Sequence, residues 1–355
     1  MKIFEEMEKR GHEELFFCYN ETVDLKAIIA LHDTTLGKAL GGLRMSPYPN
    51  DGEAILEVLR LSQIMTYQSS TSDIDCGGGA IVLLADPNQD KSEAYFRALG
   101  RFVESLKGTI VLSPDLGTEY SDFRYIQRES NYTIYENQGT DRSKPSAQVT
   151  ASGVYWGIKA CAKIKFGSSS LSGLTFAVQG LGNVGKELVR YLKQEDTFLF
   201  VSDLIFDNIK EVQDQYRDLQ VIRPDQIIYQ EADFLVPCAV GNIISESILD
   251  QLQCKVIAGA AYTIFTDESL IEKAHQKKIL VAPDFVISAG DLFHLNDQLK
   301  IVDFDKALEG SKIIYQVMLD ILRKAEMRGI SPYSVALEMA RERFNQIDRI
   351  KDILC

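Results

Sequence analysis

Gly180, Gly182 and Gly185 stand in GxGxxG spacing within "LTFAVQGLGNVGKELVRYL", between an apolar run and an amphipathic one. In a strand-to-helix turn this spacing serves a dinucleotide. The first glycine makes the turn, the second admits a pyrophosphate against the backbone, and the third allows close helix packing. The helix N-terminus adds unpaired N–H groups that favour the phosphates. The next apolar run, "TFLFVSD", ends in Asp203, 23 residues beyond Gly180. A carboxylate there suits the two ribose hydroxyls of NAD and repels the extra phosphate of NADP. The expected cofactor is NAD, preferred over NADP.

Other residues with chemical potential lie on both sides of this motif. Gly77, Gly78 and Gly79 lead directly into Ala80 in "DIDCGGGAIVLLADP", a place where backbone comes close to a ligand but the exiting side chain is no acid or base. Asp115 follows an apolar run in "SPDLGT", and Arg44, beside Gly41 and Gly42, is a candidate anion partner. Tyr67 and Tyr262 carry phenols able to donate a proton, and Gln68 and Ser288 offer uncharged hydrogen bonds. His294, in "GDLFHLND", has the side chain whose ordinary pKa suits acid–base work near neutrality.

These residues need a scaffold, and 355 residues suffice for two domains, each with its own core. The net charge of −13 disfavours a nucleic-acid partner, which wants clustered Lys and Arg. No apolar run reaches the roughly 20 residues of a membrane span, and the charged start "MKIFEEMEKRGHEELFF" is unlike a secretory signal. A cytoplasmic protein without membrane association is expected. The six cysteines contain no CxxC pair, so neither a metal site nor a disulfide framework is expected.

"EELFFCYN" and "LKAIIALHD" read as a hairpin of strands, "ALGGLRMSPYPNDG" as a loop, and "EAILEVLRLSQIMTYQ" as a helix. A strand "AIVLLAD", a helix around "SEAYFRALGRFVESL" and a strand "TIVLSPD" follow. After the polar stretch 121–148, "LTFAVQG", "TFLFVSD", "DFLVPCA", "KVIAGAA" and "KILVAPD" alternate with helices. Such near-continuous apolar strands imply a parallel sheet covered on both faces. Two amphipathic helices, "FDKALEGSKIIYQVMLDILRKAEMRG" and "SPYSVALEMARERFNQIDRI", finish the chain. The expected fold is α/β with two domains. Residues 1–145, completed by a C-terminal helix at about 328–355, form an α/β substrate and oligomerisation domain, and residues 146–327 form a Rossmann-type NAD domain.

In "GGLRMSPY", "MTY" at 65–67, "CGGGAIV", "PDLGT", "VTASGVY", "VQGLGNVG", "PCAVGNII", "VIAGAA" and "APDFVISAG", taken in order, the chain resembles the glutamate/leucine/phenylalanine/valine dehydrogenase family, most closely its leucine dehydrogenase branch. The resemblance spans about residues 10–345. It implies cofactor contacts at Thr150, Gly180, Gly182, Asn183, Val184, Gly185, Asp203, Cys238, Ala239 and Ala261. It implies substrate contacts at Gly41, Gly42, Met65, Gln68, Ala80, Ser288 and Asp291, with Asp115 and Tyr262 as candidate catalytic groups. It also implies a homo-oligomer built through the first domain, with "EELFFCYN" as an interface edge.

The family's two working lysines, one binding the substrate carboxylate and one activating water, fall on Gln68 and Ala80. Its paired asparagines fall on Ala261 and Tyr262, and its "INAGG" is "ISAGD" here, with Ser288 and Asp291. The resemblance thus leads to an NAD-dependent oxidoreductase of altered chemistry, acting on a small molecule that lacks a carboxylate, and not to a standard amino-acid dehydrogenase. The alternatives are a catalytically inactive subunit, partner or NAD sensor, and a non-redox enzyme using the same cleft.

Overall fold

The computed structural model describes residues 2–134, 143–239, 241–299 and 304–353; the His294 side chain lies outside the described set. The chain divides into two compact units, residues 1–138 with 340–355, and residues 139–339. The sequence reading drew these borders at 145/146 and 327/328.

In the first unit, α1 (Ile3–Arg10) precedes β1 (Glu14–Asn20), β2 (Leu25–Asp33), β3 (Ala39–Ser46), α2 (Asp51–Thr71), β4 (Gly77–Leu84), α3 (Glu93–Ser105), β5 (Ile110–Pro114) and α4 (Tyr120–Ile126). The strands form a five-stranded sheet in the order β1-β2-β4-β3-β5. β1, β2 and β4 pair antiparallel, whereas β3 runs parallel to both β4 and β5. Alternation along the strands divides the apolar residues between two faces. Leu25, Ile29, Leu43, Ile81 and Leu83 pack with Phe96, Leu99 and Val103 of α3. Ile28, Ala30, Ala80 and Val82 pack with Ala54, Ile55, Val58 and Leu59 of α2. Asn50 starts α2 by accepting a hydrogen bond from Glu53 N at 3.1 Å, and Ser92 starts α3 in the same way from Tyr95 N at 3.2 Å.

The stretch expected as a loop, "ALGGLRMSPYPNDG", is a strand for its first eight residues. Its glycines mark close approach, not a turn. A Cβ on Gly41 would lie 2.5 Å from the Gly79 carbonyl oxygen, so β3 fits here only because the side chain is missing.

In the second unit, α5 (Ser143–Phe166) leads into β6 (Thr175–Gln179), α6 (Asn183–Lys193), β7 (Phe198–Ser202), α7 (Phe206–Gln215), β8 (Gln220–Val221) and β9 (Ala232–Pro237). Then come α8 (Glu246–Leu249), β10 (Cys254–Ile257), α9 (Ser269–Gln276), β11 (Leu280–Val281), α10 (Asp284–Ile287), α11 (Gly290–Leu299), α12 (Phe304–Gly310) and α13 (Ile313–Arg328), while the last helix, α14 (Pro332–Ile353), begins in this unit and from residue 340 belongs to the first. The six strands are parallel in the order β11-β10-β9-β6-β7-β8. Strand direction of progression reverses between β6 and β9, which is where doubly wound sheets open a ligand crevice. The short edge strand β8 was not expected from sequence. The single helix expected over "FDKALEGSKIIYQVMLDILRKAEMRG" is two, α12 and α13. At the break the Ser311 hydroxyl donates to the Leu308 carbonyl at 2.7 Å and sits 2.8 Å from Ser152 Oγ of α5.

Among the described residues no helix is long and apolar enough to cross a membrane.

Candidate active site

The second unit places its glycine turn at the switch point of the sheet. Gly180, directly after β6, has φ +94°, a conformation that L side chains rarely adopt, and its N–H donates to the Ser202 carbonyl at 2.8 Å. A Cβ on Gly180 would lie 2.8 Å from that of Ala239, so Cys238 and Ala239 close in from the end of β9. A Cβ on Gly185 would lie 2.0 Å from the Gly180 carbonyl oxygen, which is how tightly α6 packs on its own turn. Gly182 caps α6, and a Cβ there would meet nothing within 4 Å. This open spot, next to exposed Asn183 and half-buried Val184, is where the first N–H groups of α6 are accessible to an anion.

Asp203 sits across that turn. One of its carboxylate oxygens accepts from Leu181 N at 2.6 Å and the other from Ile205 N at 2.7 Å. Beyond it Leu204, Ile205 and Phe206 are 89%, 59% and 72% exposed. Sequence reading missed this apolar trio; three large apolar residues after an acid that ends a strand were the available signal.

The remaining predicted positions of this unit fall into three places. Ala261 is buried, its N–H donating to the Pro237 carbonyl at 3.0 Å, and half-buried Tyr262 follows it. Thr150, on α5, donates to the Ser146 carbonyl at 3.0 Å, while the Ser146 hydroxyl donates to Asp291. Gly290 makes this possible, because a Cβ there would lie 2.3 Å from the Val149 carbonyl oxygen. Ser288 is buried and its hydroxyl donates to the Asp284 carbonyl of its own helix turn.

The first unit builds a second cluster, on the face of the sheet that α2 covers. Gly42 pairs with Ala80 of β4 and with Ser113 of β5. A Cβ on Gly42 would lie 2.8 Å from the Asp115 Cβ, so the missing side chain admits Asp115 over the strand. Arg44, two residues on, holds both Asp115 oxygens, with Nε to Oδ2 at 3.0 Å and Nη2 to Oδ1 at 3.4 Å. Its third nitrogen donates to Glu57 of α2, which also takes Arg60. Burial disfavours the Arg44 charge, yet Asp115 and Glu57 outweigh it and hold the guanidinium above its ordinary pKa. Burial first, then Glu57, pushes the Tyr48 phenol above its usual value. Gln68 on α2 is 3% exposed, Met65 is half-buried, and Ala80 is 1% exposed within the apolar cluster under α2. Thr118, present in a quoted motif but not singled out, accepts from Asp115 N at 3.1 Å and donates to the Leu43 carbonyl at 2.7 Å.

Known proteins resemble the whole of this chain. Residues 18–132 match the family model described as "Glu/Leu/Phe/Val dehydrogenase, dimerisation domain", and residues 201–294 match "Glutamate/Leucine/Phenylalanine/Valine dehydrogenase". A leucine dehydrogenase of Thermoactinomyces intermedius is 39% identical over 351 residues, 99% of this chain and 96% of that one. A phenylalanine dehydrogenase of Lysinibacillus sphaericus is 40% identical over 330 residues, 92% and 87% of the two chains. The crystal structure of an L-tryptophan dehydrogenase from Nostoc punctiforme superposes with a TM-score of 0.81 at 36% identity, covering 98% of this chain and 99% of that one.

Proposed function

The chain belongs to the Glu/Leu/Phe/Val dehydrogenase family, and we propose that within it the protein is an NAD-dependent oxidoreductase whose chemistry departs from amino-acid deamination. Ala80 carries this reading. It stands where the family resemblance expects the lysine that activates water, and a methyl group 1% exposed among apolar neighbours neither accepts nor donates a proton. Gln68, at the position of the lysine that binds carboxylate, brings no charge, and neutral hydrogen bonds are roughly half as strong as charge-assisted ones. The relatives themselves are named as dehydrogenases of leucine, phenylalanine and tryptophan, so the departure rests on this chain's own residues.

A substrate without a carboxylate fits a site in which both of those positions are neutral. Hydride transfer is the cofactor's chemistry, and the chain's part is to bind and orient. For the cofactor, Gly180, Gly182 and Gly185 shape the phosphate turn, Asp203 suits the ribose hydroxyls, and the exposed Leu204, Ile205 and Phe206 suit the adenine face. The acid at 203 favours NAD over NADP. A homo-oligomer is supported by β1, an edge strand on which Phe17 and Tyr19 are 55% and 66% exposed.

Fluorescence titration of the purified protein with NADH and NADPH, followed by turnover assays with carbonyls and imines lacking a carboxylate, tests the reading. NADH bound at micromolar levels in preference to NADPH, with no turnover of leucine, is the expected result. Leucine-dependent NADH formation by the unaltered chain would return it to ordinary deamination, and no binding at millimolar NADH would remove the redox reading altogether.

A further inference from the structure

Resting on the reading above that this fold carries a redox site, we propose that Arg44 is the positioning residue of the cluster at the carboxyl end of β5, fixing the plane of the Asp115 carboxylate toward a ligand that Arg44 itself does not touch. The guanidinium is a rigid planar fork with five donors. Two of its nitrogens reach the two Asp115 oxygens at 3.0 and 3.4 Å, and the third reaches Glu57. The Asp115 carboxylate is therefore referred to helix α2, not only to its own loop.

Two further contacts fix the same group from other directions. Gly42 leaves the slot into which Asp115 fits, since a Cβ there would be 3.1 Å from Oδ2. Thr118 ties the Asp115 backbone to β3 through Leu43. Exposure then grades outward. The Arg44 and Glu57 side chains are 16% and 17% exposed, and that of Asp115 is 31%. Among the described residues Arg44 is the side chain holding the Asp115 carboxylate, and each oxygen keeps a further lone pair on the open edge. That edge accepts from an ammonium or another N–H donor. A lysine at position 44 would keep the charge but would lack the fork that joins Asp115 and Glu57 in one plane.

The test is calorimetric titration of the full chain with isopentylamine, in the unaltered protein and in Arg44→Lys, Arg44→Gln, Asp115→Asn and the Arg44→Gln/Asp115→Asn double variant. NADH affinity and thermal midpoint are measured alongside. The unaltered protein is expected to bind the amine, Asp115→Asn to weaken it most while leaving it measurable, and Arg44→Lys to weaken it about tenfold, as the loss of one charge-assisted arrangement does. In the double variant Arg44→Gln adds no further loss, because its effect passes through Asp115. Unchanged amine affinity in Arg44→Lys would leave Arg44 a charge partner only and overturn the proposal. Additive losses, or no amine binding by the unaltered protein, would overturn it as well. Should a change at 44 prevent folding, Glu57→Gln frees the same guanidinium from α2, and undiminished amine binding there counts equally against it. Loss of NADH binding in the unaltered protein would strike the cofactor reading instead and leave the amine titration readable.

Discussion

The imidazole rings of His12 and His32 meet edge to face in the first unit, with centroids 4.8 Å apart. His12 Nε2 lies 2.9 Å from the Leu59 carbonyl oxygen and 3.0 Å from Ser62 Oγ, and His32 bridges Thr66 Oγ1 at 2.9 Å and the Arg10 carbonyl oxygen at 3.0 Å. Burial, and then the neighbouring His32, lowers the pKa of His12 to about 3; burial lowers that of His32 to about 4. Both rings are neutral in the folded protein at pH values where the unfolded chain, with histidines near 6.5, already binds protons. The unfolded state then holds more protons, so stability falls as pH drops below about 6.5, by about 1.4 kcal/mol per pH unit for each ring. Urea unfolding across the interval from about pH 7 to about pH 5 reads this slope. A flat curve would mean that the rings are protonated while folded.

Phe234, on β9, stacks on Phe176 of β6 with centroids 4.7 Å apart, and both are fully buried. These two strands flank the switch point, so the pair ties together the sheet where its order reverses. Phe234→Ala is expected to cost about 3–5 kcal/mol through lost transfer energy and the cavity left behind. The midpoint of denaturant unfolding measures it, and a loss below about 1 kcal/mol would show that neighbouring residues collapse into the space.

Legibility in the sequence followed the range of each interaction. The glycine turn from β6 into α6 was readable because Gly180, Gly182 and Gly185 act within a few residues of one another, and Asp203 directly follows the very next strand. β3 was not, because Gly41 and Gly42 look like turn residues until Gly79 and Asp115 are brought against them from 38 and 73 residues away. Arg44 was visible as an anion partner, but its anions, Glu57 on a helix and Asp115 after a strand, were settled only by folding. The break between α12 and α13 falls at Gly310 and Ser311, a local signal that went unused beside the long apolar run, and Ser311 there also meets Ser152 of α5.

Asp203 binds two backbone N–H groups, at Leu181 and Ile205, so it organises the glycine turn, and on the proposed reading it also faces the cofactor's ribose. Asp203→Asn is expected to weaken NADH binding about tenfold, the worth of one charge-assisted hydrogen bond, while NADPH binding improves because the repelling charge is gone. Parallel titrations with the two dinucleotides give the ratio. A variant that loses both to the same degree would assign Asp203 to the turn alone.

Installing lysines at positions 68 and 80 tests the proposed reading that these two neutral residues set the chain apart from leucine dehydrogenases. Ala80 lies in the apolar cluster of Ile28, Ala30, Ile55 and Leu59, and a lysine there must carry its charge out of that packing to reach a ligand. On the reading proposed above, Tyr262 and Asp291 would still stand where the family carries asparagine and glycine. Gln68→Lys combined with Ala80→Lys is therefore expected to give no leucine-dependent formation of NADH. Measurable turnover in that double variant, with the unaltered chain silent, would show that the two lysines alone separate this protein from a working leucine dehydrogenase, and that the rest of its pocket was never rebuilt.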